Sequence, residues 1–94
     1  MAGKTAGNLN KTGVAELAND KAAAYKILNA KGDNVYTGAA AKGKVQEQVA
    51  KHMRGGDEAI PGGKTVKLTQ KPTVTEARKT AARIIKRDDP KNNK

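Results

Sequence analysis

Nine cationic side chains fall in two stretches of this chain, Lys42, Lys44, Lys51 and Arg54 in the first and Arg78, Lys79, Arg83, Lys86 and Arg87 in the second. Ammonium and guanidinium groups at this density can neutralise phosphates. Such contacts hold a nucleic-acid backbone without reading its bases, so the chemistry they suggest is weakly sequence-specific, steeply salt-dependent binding. The only aromatic residues, Tyr25 and Tyr36, suggest a second contribution. An exposed tyrosine ring stacks a base and favours single strands or flipped bases. The competing use of both rings is core packing, since aromatic side chains tend toward burial.

Two other features lead nowhere. Gly62-Gly63-Lys64-Thr65 invites a phosphate-loop reading, but that motif needs a glycine where Glu58 stands, and it should open a helix. Here it leads into a strand pattern. His52 is the only histidine and there is no cysteine, so a zinc site and disulfides are excluded. A lone histidine on a helix reads first as a polar surface or pocket residue.

These side chains must be positioned by six elements. Thr12 can cap a short helix from Gly13 to Asp20 with Val14, Leu17 and Ala18 on one face. A strand–turn–strand unit follows, from Ala23 to Gly38, with Gly32 in the turn because glycine takes a positive φ at no steric cost. Lys44 to Met53 reads as a helix with Val45, Val49 and Met53 inward, and Gln48 and His52 share a second face of it. Arg54 to Lys64 is a glycine-punctuated loop. Thr65 to Gln70 alternates Val66 and Leu68 with polar residues, as a half-buried strand does, and Pro72 stops it. Thr73 with Glu76 is a capping-box signature for a helix from Val74 to about Arg87. Ala77, Ala81, Ile84 and Ile85 face inward there, and the five cations stay outside. The tail after Pro90 is polar. The expected fold is therefore α+β, in the order α-β-β-α-β-α, with a flexible basic segment over 1–11 and one domain over 12–94.

Composition sets the bounds. A chain of 94 residues buries only about 60–65% of the surface it exposes unfolded, so the core is small. Nineteen Lys and Arg against nine Asp and Glu give a net charge of +10, which favours a polyanionic partner. No apolar run is long enough to span a bilayer and no signal core opens the chain, so the expectation is a cytoplasmic protein without a membrane partner. No heptad pattern argues for a dimer, and a monomer is expected.

The run of elements from Ala22 to Lys94 resembles a small GIY-YIG nuclease domain. Ala23-Ala24-Tyr25 occupies the family's first tripeptide and Tyr36-Thr37-Gly38 its second. Lys44 to His52 matches the family's Arg-x-x-x-His helix, with Gln48 at the arginine position. Glu76 to Ile85 matches the helix that carries the metal-binding glutamate four residues before an isoleucine, and Ala81 stands there. Pro90-Lys91-Asn92-Asn93 resembles the closing Pro-x-Tyr-Asn. The resemblance implies a small three-stranded antiparallel sheet flanked by helices. It also implies a catalytic set at Tyr25, Tyr36, Gln48, His52, Ala81 and Asn93, with a tyrosine assisting the general base, the arginine on the phosphate and the glutamate on Mg²⁺.

The departures fall where charge matters most. Gln48 cannot supply a positive charge, and Ala81 has no donor for a metal. Losing one such transition-state contact costs a factor of about 10²–10³ in rate. Asp57, Glu58, Asp88 or Asp89 could substitute only if a loop carried one into the cleft. Without the resemblance, Ala77, Ala81 and Ile85 are simply an apolar stripe. Three functions follow. The first is a nucleic-acid-binding domain, with DNA as partner, on a nuclease-like scaffold with lost or reduced phosphodiesterase activity and no cofactor. The second is an active Mg²⁺-dependent endonuclease. The third is a basic structural or inhibitory protein with a protein partner. In the first two, partly exposed tyrosines line a shallow cleft.

Overall fold

Val66 and Leu68, buried between exposed Lys67 and Thr69, mark a strand with one face toward the core, as their alternation requires. The computed structural model describes residues 3–53, 56, 59–60 and 62–90. In chain order the elements are β1 (Ala6–Asn8), α1 (Lys11–Ala15), β2 (Ala22–Leu28), β3 (Asn34–Ala40), α2 (Val45–Ala50), β4 (Thr65–Lys71) and α3 (Val74–Asp88). The four strands form one antiparallel sheet in the order β1-β4-β2-β3.

The expected α+β class holds, but the three-stranded sheet and the order α-β-β-α-β-α do not. A strand lies in the segment expected to be flexible. Residues 6–8 pair with Lys67, Val66 and Thr65 along the outer edge of β4. Ala-Gly-Asn has neither β-branching nor alternation, so backbone pairing with an edge already in place forms this strand. The first helix is also displaced: it spans Lys11–Ala15, capped by the Asn10 side chain, which accepts from Gly13 N at 2.7 Å. Val14, Leu17 and Ala18 are buried as expected, but the last two lie outside the helix. There the Lys4 backbone intercepts the chain, donating to Glu16 O and accepting from Ala18 N, both at 2.8 Å.

The hairpin forms at its expected place. The Asn29 side chain accepts from the backbone N–H groups of Lys31 and Asp33, both at 2.9 Å, and Gly32 takes φ 88°. A bulge between Ile27 and Leu28 shifts the pairing with β3. Thr73 caps α3 by accepting from Glu76 N, and β4 ends at Lys71, just before Pro72.

The sheet has two differently covered faces. Ala23, Tyr25 and Ile27 leave β2 on one side, and Ala24, Lys26 and Leu28 on the other. The first side forms the main core with Val14, Leu17, Val45, Val49, Val66 and Leu68, under α1 and α2. On the second side α3 presses Ala77, Ala81 and Ile84 against the sheet. It lies mainly over β3 and β2 and leaves the outer part of β4 open. Among the described residues no helix is long and apolar enough to cross a membrane.

Candidate nucleic-acid interface

Tyr25, Tyr36 and His52 do converge. The Tyr25 hydroxyl and His52 Nε2 form a buried hydrogen bond of 2.9 Å. The Tyr36 ring centroid stands 4.5 Å from His52 and 6.1 Å from Tyr25. Gly38 makes the arrangement fit, since a Cβ there would lie 2.7 Å from the Tyr25 hydroxyl oxygen. Yet this cluster is not a cleft. Tyr25 and His52 are 3% and 2% exposed and belong to the packing between β2 and α2, while Tyr36 is half-buried. The expectation of two partly exposed tyrosines is met by Tyr36 alone, so Tyr25 offers no stacking platform. The second helix is shorter than the expected Lys44 to Met53: α2 ends at Ala50, so half-buried Gln48 lies on it while His52 falls in the turn that follows.

Ala81 is elsewhere. It is buried on α3, and α3 packs on the face of the sheet that carries Lys26. Successive residues of a strand face opposite ways, so Tyr25 points to the other side. The sheet itself therefore separates position 81 from the tyrosine–histidine cluster. Ala81 offers no metal donor, and among the described residues no three His, Cys, Asp or Glu side chains gather to hold an ion. The described residues do not fit the Mg²⁺ that the resemblance implies. Asn93, Asp57, Glu58 and Arg54 lie outside the described residues.

The α3 side holds a different assembly. A groove of about 530 Å³ runs between α3 and the open part of the sheet, lined by Lys26, Thr69, Lys71, Thr80, Arg83, Ile84 and Arg87. Four of those seven residues are cationic, and none is acidic or aromatic. Lys26 is the direct register partner of Lys67 on β4. Like charges directly opposite on adjacent strands destabilise a sheet, so this placement works against the fold's own stability.

Helical spacing puts Thr80, Arg83, Ile84 and Arg87 along one flank of α3. Asp88 follows Arg87 at the end of α3. Arg87 donates to its carboxylate from Nε at 2.8 Å, and Asn34 from Nδ2 at 3.1 Å. Those hydrogen bonds, Arg87's first, pull the Asp88 carboxyl down to about 2. The same Asn34 amide donates to Thr37 Oγ1 at 2.7 Å, which ties the end of α3 to β3.

Of the cations expected to meet phosphate, Arg83 and Arg87 line the groove. Lys42, Lys44, Lys51, Arg78, Lys79 and Lys86 do not line it. Lys44 pairs with Glu47 at 3.7 Å and Lys79 with Glu76 at 4.0 Å, both exposed. Lys26 and Lys71 are the functional candidates that reading the helices missed. Their signal was strand parity, because each falls on the face opposite Tyr25 and Ile27 or Val66 and Leu68. No protein-family model, curated protein or solved structure matches the chain.

Proposed function

We propose that this chain is a nucleic-acid-binding domain whose sequence resembles the GIY-YIG endonucleases, with lost or strongly reduced phosphodiesterase activity. The observation that carries the binding reading is the groove beside α3, where Lys26, Lys71 and Arg83 converge and only Arg87 is already paired, to Asp88. The net charge of +10 adds long-range attraction for a polyanion. The absence of cleavage rests on Gln48 and Ala81 and on the sheet lying between position 81 and the tyrosines.

The chemistry of the groove favours duplex over single strand. Tight single-strand binding draws on stacked aromatic rings, and this lining has none. Binding then follows phosphate density, which is higher on a duplex.

The test is anisotropy with labelled duplex and single-stranded DNA over a salt series, with denaturing gels run in Mg²⁺, Mn²⁺ or chelator. Three neutralised phosphates, one each for Lys26, Lys71 and Arg83, predict a slope of about −2.7 for log K against log salt on duplex. Duplex is bound more tightly than single strand, and no product forms. Metal-dependent products would favour the nuclease reading instead, and no binding at low salt would remove nucleic acid as the partner.

A further inference from the structure

Thr80 sits in the middle of α3 and lines the basic groove, yet its buried hydroxyl has no hydrogen-bond partner among the described residues. A threonine inside a helix commonly satisfies its hydroxyl on the carbonyl three or four residues earlier. Here those carbonyls belong to Ala77 and Glu76, and the bond is not made. A buried hydroxyl left unpaired costs about 1–3 kcal/mol. Valine has almost the same shape and would relieve that cost, so hydrophobic packing alone does not account for a threonine at this position.

The surroundings show what the hydroxyl can serve. Arg83 follows Thr80 by one helical turn on the same flank, and Lys26 faces them from β2 across the groove. A neutral donor between a guanidinium and an ammonium suits one ligand chemistry, a tetrahedral anion with several acceptor oxygens. Rotation about χ1 exchanges the hydroxyl and methyl of Thr80 between staggered positions, so the donor can turn toward an anion entering the groove.

We infer that Thr80, Arg83 and Lys26 form a discrete seat for one backbone phosphate, in which the Thr80 hydroxyl donates to a non-bridging oxygen. This deepens the nucleic-acid reading and rests on it. It differs from diffuse attraction in one respect: an uncharged group contributes to affinity. The seat therefore separates affinity from salt dependence. Thr80→Val removes a donor but no charge, and Arg83→Gln removes a charge.

The experiment measures duplex DNA affinity over a salt series for the parent, Thr80→Val, Thr80→Ser and Arg83→Gln, with thermal unfolding of each. Thr80→Val is expected to bind about tenfold more weakly, the loss of one hydrogen bond to a charged group. Its salt slope stays unchanged, and its unfolding temperature equals or exceeds the parent's. Thr80→Ser keeps the hydroxyl and the affinity. Arg83→Gln weakens binding and lowers the magnitude of the slope by about 0.9. Parent-like affinity of Thr80→Val beside weakened Arg83→Gln overturns the seat and leaves the binding function standing. Equal losses in Thr80→Val and Thr80→Ser also overturn it, since the effect would then be one of packing. Failure of the parent itself to bind overturns both.

Discussion

At the scale of single residues, Gly38 owes its place to Tyr25. A methyl group at position 38 would meet the tyrosine hydroxyl oxygen at 2.7 Å and ring atoms at 2.8 and 3.2 Å. The ring cannot retreat freely, because its hydroxyl is bonded to buried His52. Gly38→Ala is therefore an overpacking change and is expected to destabilise the fold by about 1–3 kcal/mol, read by urea denaturation. Its DNA affinity should stay at the parent's value in conditions where it is folded, since the groove lies across the sheet. Asp88 makes the second residue-scale prediction. Its carboxyl sits at about 2 in the folded state against an ordinary 3.8. A depressed folded value means that the unfolded chain takes up the proton first. The stabilisation is complete above pH about 4 and is lost as the pH falls toward about 2. The group is exposed and the effect is small in consequence. Asp88→Asn should flatten the acid limb of a stability–pH curve, and an unchanged acid limb would show that the Arg87 and Asn34 contacts do not act in solution.

Between elements, the two short helices terminate each other. Lys44, the cap residue of α2, provides no side-chain bond. The amide of Asn19 does this work from a distant part of the chain, accepting from Val45 N at 2.8 Å and Gln46 N at 3.3 Å. In return, Gln46 Nε2 donates to Ala15 O at 3.1 Å, the last residue of α1, and to Leu17 O at 2.7 Å just beyond it. A five-residue and a six-residue helix are too short to persist alone, so this exchange and the shared core hold them. Asn19→Ala should cost about 1–2 kcal/mol, as loss of an N-cap does. Thr73→Ala, at the cap of the long helix α3, should cost about 1 kcal/mol. Chemical denaturation checks both. The difference between the two caps is also one of legibility. Thr73 and Glu76 stand three residues apart and are recognisable in the sequence, whereas Asn19 and Val45 become partners only when α1 and α2 are packed.

Across the whole molecule, the sheet divides the chain into a packed face and a charged face. The tyrosine–histidine cluster belongs to the first, and the groove and Ala81 to the second. Restoring the residue types of the resembled nuclease should therefore not restore its reaction. The double variant Gln48→Arg, Ala81→Glu is expected to leave supercoiled plasmid uncut in Mg²⁺, in samples whose circular dichroism matches the parent. Nicking by that variant would mean that the two positions meet across one cleft, and would overturn the separation of faces.

Much of this architecture follows from local rules that need no tertiary context. Val66 and Leu68 alternate with polar residues and become the buried side of β4. Gly32 supplies the positive φ of the hairpin. Ala77, Ala81 and Ile84 recur at helical spacing and become the buried stripe of α3, which leaves Arg83 and Arg87 outside. These outcomes depend on neighbours within about one or two turns or a strand's length, the range over which periodicity carries information. What the packed structure alone decided lies beyond that range. β1 exists because β4 offers an unpaired edge, and nothing in Ala6-Gly7-Asn8 announces a strand. Tyr25 is buried because the turn after α2 brings His52 to its hydroxyl. Lys26 and Lys71 reach Arg83 and Arg87 because α3 crosses the sheet on their side, over β3 and β2, and stops short of β1 and the outer part of β4. The amount of basic charge was therefore plain from composition, whereas its convergence in one groove depends on which face of the sheet the last helix covers.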